Sequence, residues 1–136
     1  MSRKIQKLAI ANRGEVAVRI IRAAKEMGIS TVLLHSEADV ESLAYRVADE
    51  RVLVGGSPVA ESYLNIDRNI MAAKSVGADA IHPGFGFLSE NADFAEACDS
   101  ARIIFVGPSA ESIRLFGDKI SAKNLVRKVG APVIPG

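Results

Sequence analysis

The sequence predicts an α/β protein built on a doubly wound parallel sheet. Five short apolar runs rich in Val, Ile and Leu recur along the chain, at residues 5–11, 31–35, 51–54, 78–81 and 103–106. Most of these runs are separated by segments whose apolar residues have helical spacing. Strands that alternate with amphipathic helices are typical of a parallel sheet with crossover helices. At 136 residues the chain is long enough for one domain with a core, but not for two.

Three helices follow from the spacing of apolar residues. The first is predicted over residues 14–27, where Gly28 provides a stop, and its apolar stripe comprises Val16, Ile20, Ile21, Ala24 and Met27. The paired glycines and the proline in residues 54–65 predict a loop that leads into a second helix near residues 67–76. A third helix follows Ser89, with Phe94, Ala97, Cys98 and Ala101 on one face. Cys98 is therefore interpreted as a core residue and not as a nucleophile.

Composition excludes several classes of protein. Seventeen Lys and Arg against sixteen Asp and Glu give a net charge of +1, and no run of like charge indicates a nucleic-acid or membrane partner. There is no secretory signal and no apolar stretch of about 18 residues, so a cytoplasmic location is the default expectation. The single Cys98 excludes an internal disulfide, and His35 and His82 lie far apart in sequence, so no metal site is expected.

Ligands of open parallel sheets bind at the carboxyl ends of the strands, so the strand-to-helix turns are the candidate sites. The first turn, "ANRGE", has one glycine, Gly14, and cannot supply the G-x-G-x-x-G of a dinucleotide site. Residues 12–15 are accordingly interpreted as a tight turn with a charged first helical turn. We expect the turns near Asn12 and Gly84 to lie at the same edge of the sheet, with the turn near Asp118 as a further candidate for that edge.

The second turn, "IHPGFGFLSEN", has a backbone shaped by proline and glycine. Pro83 ends the strand, and Gly84 and Gly86 permit conformations or close approaches that a side chain would block. Position 89 is Ser, where a dinucleotide fingerprint would need a third glycine. His82 is interpreted as a hydrogen-bonded structural residue, because no nucleophile or carboxylate is arranged around it.

Two phenylalanines alternate with the glycines of this turn. Phe85 and Phe87 can flank an opening for a planar ligand or anchor the loop in the core, and the core interpretation is favoured for both.

The third turn, "LFGDKISAKNLVRKVG", places a lysine at the start of a helix. Asp118 is a good N-cap for a helix that Gly130 ends. Lys119 falls in its first turn, where a cation opposes the helix dipole by ~0.3 to 1 kcal/mol. A solvated surface lysine is the simpler interpretation, whereas a phosphate ligand nearby would make both the dipole and the ammonium favourable.

Together, these motifs resemble the N-terminal segment of biotin carboxylase, the component of biotin-dependent carboxylases that uses ATP and bicarbonate to carboxylate biotin. The resemblance covers the whole chain and rests on "KLAIANRGEVAVRIIRAAKEMGI", "ADE", "SYLNI", "AIHPGFGFLSEN", "FVGPSAESIRLFGDKISAK" and "GAPVIPG". It implies a Rossmann-like sheet in the domain that precedes an ATP-grasp module. Residues 1–136 are then expected to be a fragment without the ATP-grasp and C-terminal domains.

The resemblance also implies roles for particular residues. Lys119 matches the lysine of the G-D-K motif that contacts ATP. The loop bordering the biotin and bicarbonate site is matched by Gly84, Phe85, Gly86 and Glu90. The family has tyrosine at the position of Phe85, so a hydroxyl contact to biotin is lost here. Arg22 and Glu26 match a dimer-interface arginine and glutamate. No catalytic residue of the family falls within the chain, and the isolated chain is expected to be inactive.

The implied ligands are ATP, Mg²⁺ bound mainly by the ATP-grasp domain, bicarbonate, and biotin on a carrier. The implied partners are a biotin carboxyl carrier protein or domain, a carboxyltransferase component and a second copy of the enzyme. The first expectation for the parent enzyme is acetyl-CoA carboxylase, which feeds malonyl-CoA to fatty acid synthesis. A propionyl-CoA or pyruvate carboxylase, another ATP-grasp ligase and a non-catalytic interaction fragment are the alternatives.

Overall fold

Parallel strands form a five-stranded sheet in the computed structural model, which describes residues 4–117. The strands are β1 (Lys7–Ile10), β2 (Ser30–Ser36), β3 (Glu50–Gly55), β4 (Ala80–His82) and β5 (Ile104–Phe105). Their order is β3-β2-β1-β4-β5, and every neighbouring pair is parallel. The doubly wound sheet is therefore confirmed. The chain reverses its direction of winding between β1 and β4, which is where such sheets bind ligands.

Helices connect the strands. They are α1 (Gly14–Glu26), α2 (Leu43–Val47), α3 (Ile66–Ser75) and α4 (Ala92–Ser100), and residues 110–117 are also helical. The three helices predicted from apolar spacing correspond to α1, α3 and α4. The five residues of α2 are too few to show a helical period, so this helix was missed. Its start is nevertheless fixed locally, because the Ser42 hydroxyl accepts a hydrogen bond from the Tyr45 amide at 3.2 Å.

Two apolar layers enclose the sheet. Neighbouring residues of β1 point to opposite faces, so Leu8 and Ile10 pack with α1 and α2, and Ala9 packs with α3 and α4. Both layers are drawn mainly from the alternating runs that predicted the strands. The sheet is consequently covered by helices on both of its faces, as a parallel sheet requires.

The buried stripe of α1 is rotated from the predicted one. Its buried residues are Ala17, Val18, Ile21 and Ala24, whereas Val16 and Ile20 are only partly buried. Met27 is 74% exposed, so its assignment to the stripe was wrong. The small alanine and the β-branched valine lie against the sheet because they allow the helix axis to approach it closely.

Cys98 lies in the core, as predicted. The thiol is buried in the layer beneath α4, and burial raises its pKa to about 12, so it is neutral and unreactive as a nucleophile. Within residues 4–117, no three His, Cys, Asp or Glu side chains group together in a way that could hold a metal ion. No helix in this part of the chain has the length and apolar character needed to cross a membrane.

Candidate functional site

The turns after β1 and β4 meet at one edge of the sheet, as the sequence predicts. Asn12 lies just beyond β1 and is only 3% exposed. Its amide nitrogen donates to the Pro83 carbonyl at 2.8 Å and to the Phe85 carbonyl at 2.7 Å. Its amide oxygen accepts the Arg13 backbone N–H at 2.8 Å. The first turn therefore does more than reverse the chain, because Asn12 holds the 83–91 loop that follows β4.

Gly84 lies where this loop crosses over α1. Its φ of +68° is in the left-handed region, which favours glycine. A Cβ at this position would lie 2.7 Å from the Asn12 amide nitrogen and 2.8 Å from a methyl carbon of Val16. Gly86 has a similar φ of +69° but no neighbour within 4 Å. The predicted close approach is thus confirmed at Gly84, while Gly86 serves only the backbone conformation.

The two phenylalanines of the loop have different environments. Phe85 is 81% exposed, so the prediction that it anchors the loop in the core was wrong. Phe87 is partly buried and stacks on Tyr63, with ring centroids 4.9 Å apart and planes 17° apart. Leu88, which follows it, is buried in the core. The loop is therefore fixed on both sides of Phe85 while the Phe85 ring itself faces solvent.

Four residues form a hydrogen-bonded group beside this loop, which we call the Asp39 network: Arg13, Ser36, Asp39 and Tyr63. Arg13 donates to one Asp39 carboxylate oxygen at 2.7 Å. The Ser36 hydroxyl donates to the other oxygen at 3.1 Å, and the Tyr63 hydroxyl donates to the same atom. The Tyr63 oxygen also accepts the Ser36 backbone N–H at 3.2 Å. The carboxylate thus joins the ends of β1 and β2 to the loop that carries Tyr63.

Tyr63 is held in one protonation state and one orientation. The ring is fully buried, and burial together with the hydrogen bond to Asp39 raises the pKa of Tyr63 to about 12. The Arg13 guanidinium carbon lies 5.6 Å from the centre of the ring. Sequence reasoning did not identify Asp39 or Tyr63 as part of the site. Only the "SYLNI" motif carried a signal, and it did not show that the tyrosine is buried.

His82 has the structural role that the sequence predicts. It is half-buried at the end of β4, and its Nδ1 accepts the Gly84 backbone N–H at 3.1 Å. Burial lowers the pKa of His82, because the charged form is poorly solvated there. Protonation at Nδ1 would also remove the acceptor for Gly84.

We expect acid to destabilise the chain through His82. His82 binds a proton less tightly in the folded state than in the unfolded state. The free energy of unfolding is therefore highest above the unfolded pKa of about 6.5 and decreases as pH falls below it. The measurement is the urea midpoint at pH 7.5 and pH 5.5. His82→Asn should reduce the difference, since its side-chain oxygen can still accept from residue 84 without titrating. An equal pH dependence in both proteins would contradict this role.

A cavity of about 460 Å³ lies between the 83–91 loop and the helical residues 110–117. It is lined by Ser89, Glu90, Pro108, Ser112, Ile113, Phe116 and Gly117. Glu90 is exposed at its mouth, and the next residue, Asn91, caps α4 by accepting the Phe94 amide at 3.0 Å. Glu90 therefore precedes α4 and is not part of it. Asp118 and Lys119 lie outside the described residues.

Arg22 and Glu26 lie away from the loop. Both are exposed on α1, roughly 12 Å or more along the helix from its start at Gly14. Within residues 4–117 neither side chain has an ion-pair partner, whereas Glu15 and Arg19 of the same helix are 3.7 Å apart.

Residues 4–113 match the family model described as "Biotin carboxylase, N-terminal domain". The chain belongs to this family. It is 54% identical over 132 residues to the biotin carboxylase of Pseudomonas aeruginosa, covering 97% of this chain and 29% of that protein. The resemblance inferred from the motifs is thereby confirmed. This biotin carboxylase N-terminal domain spans less than a third of the curated relatives it matches.

Solved structures of biotin-dependent carboxylases share the fold of the domain. The urea carboxylase of Kluyveromyces lactis matches with a TM-score of 0.85 and 47% identity, over 96% of this chain and 12% of that one. The biotin carboxylase domain of a thermophilic 2-oxoglutarate carboxylase, bound to bicarbonate, matches with a TM-score of 0.83 and 44% identity. That match covers 97% of this chain and 30% of the other, and the same domain is also known bound to ADP.

Proposed function

We propose that the chain is the leading domain of a biotin-dependent carboxylase, and that its 83–91 loop forms one wall of the site where biotin is carboxylated with ATP and bicarbonate. The observation that carries this proposal is the exposed Phe85, held between two fixed backbone segments at the reversal point of the sheet. Bicarbonate and ADP bound to one solved relative support the choice of ligands.

The loop offers surface and shape to such a ligand. Phe85 presents an apolar ring, which suits packing against the ring system of biotin. Both amide hydrogens of Asn12 are donated to the loop backbone, so Asn12 orients the loop and has no side-chain donor left for a ligand. Glu90 provides a carboxylate at the edge of the neighbouring cavity. Because Phe85 replaces the family's tyrosine, this wall would contact the ligand through apolar packing and would not donate a hydrogen bond from the ring.

The bond-making steps belong to other parts of the enzyme. On the family resemblance, we assign Mg²⁺ to an ATP-grasp domain of the intact enzyme. We assign one ATP contact to this chain, through Lys119. Its ammonium would stabilise charge on the phosphate oxygens when bicarbonate attacks ATP to form a carboxyphosphate-type intermediate.

The test compares the intact protein with the 136-residue chain. We expect the intact protein to cleave ATP only with bicarbonate and to transfer labelled bicarbonate carbon to biotin, and the short chain to do neither. ATP cleavage without labelled biotin would favour a different ATP-grasp ligase. Failure of the intact protein to bind nucleotide in a calorimetric titration would favour a non-catalytic interaction protein.

We further propose that the parent enzyme is an acetyl-CoA carboxylase working with a carboxyl carrier and a carboxyltransferase. The solved relatives include urea and 2-oxoglutarate carboxylases, so the same domain serves several acceptors. Assay of the complete enzyme with acetyl-CoA, propionyl-CoA and pyruvate would identify the acceptor. Carboxylation of pyruvate alone would contradict the proposal.

Arg22 and Glu26 are proposed to contribute to a homodimer of the intact enzyme. Reversing one charge with Arg22→Glu should weaken dimerisation about fivefold, because it replaces an exposed pair that contributes up to ~1 kcal/mol with two like charges. Sedimentation measures the dissociation constant. The matched control is Lys74→Glu, which reverses one exposed charge on α3 at the opposite face of the sheet. Equal dissociation constants for the two variants would refute the interface.

A further inference from the structure

The conformation of Phe87 is unfavourable by itself. Its φ of +44° lies in the left-handed region, where a side chain with a Cβ meets the following carbonyl oxygen. Such a conformation persists only where surrounding contacts impose it. The contact present here is the stacking of the Phe87 ring on Tyr63 at 4.9 Å.

We propose that Tyr63 is a positioning residue for biotin, which fixes the 83–91 loop through Phe87 and so sets where Phe85 stands. This role rests on the function proposed above. Tyr63 does not touch the substrate in this proposal, because the ring is fully buried. It acts through the loop.

The Asp39 network makes Tyr63 a rigid support. The hydroxyl donates to Asp39 and accepts from the Ser36 backbone at 3.2 Å. These two hydrogen bonds fix the position of the ring relative to the end of β2. Arg13 reaches Asp39 from the turn after β1, with a nitrogen to oxygen distance of 2.7 Å. These contacts fix the position of the Tyr63 ring relative to β1 and β2, and not only relative to its own loop.

Two supports therefore hold the loop on either side of Phe85. On one side Asn12 binds the carbonyls of Pro83 and Phe85. On the other side Tyr63 holds Phe87. Both supports start from the turn after β1, where Asn12 and Arg13 are consecutive residues. The exposed ring of Phe85 is thus the unsupported group between two fixed points, which is the geometry of a preorganised ligand wall.

Tyr63→Phe in the intact enzyme tests the proposal, because it keeps the stacked ring and removes only the hydroxyl that fixes its tilt. We expect the KM for biotin to rise about fivefold while the KM for ATP changes less than twofold. Phe87→Leu, which removes the stacking from the loop side, should have the same pattern. Tyr45→Phe is the matched control, since the Tyr45 ring packs edge-to-face on His35 and not on Phe87.

A double-mutant cycle with Phe85→Ala separates the positioning role from a purely structural one. If Tyr63 acts through Phe85, Tyr63→Phe adds nothing to the KM for biotin once Phe85 is alanine. Additive effects, or a lower melting temperature with an unchanged KM for biotin, would overturn the positioning role. If Phe85→Ala alone leaves that KM unchanged, the proposed biotin wall itself is wrong and the positioning role falls with it.

Discussion

Gly84→Ala is expected to lower the free energy of unfolding of the 136-residue chain by about 3 kcal/mol. The left-handed backbone accounts for ~1 to 2 kcal/mol with any residue that has a Cβ. The rest comes from Asn12, because the new Cβ would lie 2.7 Å from its amide nitrogen and displace it. The carbonyls of Pro83 and Phe85 would then lose their buried donor, at a cost of ~1 to 3 kcal/mol. Urea unfolding measures the change.

Gly86→Ala is the control for this prediction. Its φ is also left-handed, yet a Cβ there meets nothing within 4 Å, so only the backbone cost of ~1 to 2 kcal/mol should remain. In the intact enzyme Gly84→Ala should also raise the KM for biotin by displacing the loop. Equal destabilisation by the two substitutions would contradict the close approach of Gly84 to Asn12.

Lys119→Gln in the intact enzyme is expected to weaken ATP binding or slow bicarbonate-dependent ATP cleavage about ten- to a hundredfold. A charge-assisted contact to phosphate contributes ~1.5 to 3 kcal/mol, and glutamine keeps length and polarity while removing the charge. The measurements are nucleotide affinity by calorimetry and the rate of ATP cleavage. Lys123→Gln is the control, because Lys123 lies in the same segment and the resemblance assigns it no functional role. Wild-type affinity and turnover in Lys119→Gln would return Lys119 to a solvated surface residue.

Periodicity predicted most of the fold because it reports local geometry. The apolar runs located every strand, and the position of Gly28 correctly indicated the end of α1. Periodicity did not predict α2, because that helix is too short. In α1 it predicted the wrong buried stripe, because more apolar residues are present than one face can hold. Met27 fits a helical stripe in sequence but lies beyond the part of α1 that the sheet covers.

The candidate site was predictable only in part, since its contacts join distant residues. Glycine and proline spacing located the loop and singled out Gly84, because those residue types restrict or free the backbone wherever they occur. The sequence predicts only a turn at Asn12. Its contacts with the loop could not be predicted, because the partners lie 71 and 73 residues further along the chain. The prediction that Phe85 lies in the core rested on the general preference of phenylalanine for burial. In the structure Phe87 packs inward on Tyr63, whereas Phe85 is exposed.

The central place of β1 in the sheet also governs when the site can form during folding. Asn12 and Arg13 leave β1, yet the groups they bind lie beyond β2 and β4, up to 73 residues later. Closing so long a chain segment costs entropy that local helices do not incur, so we expect these contacts to form after the helical segments. We expect the Arg13–Asp39 pair, 26 residues apart, to form before the Asn12 contacts, whose partners lie 71 and 73 residues later. We therefore expect the 83–91 loop to take its shape only after β4 has paired with β1.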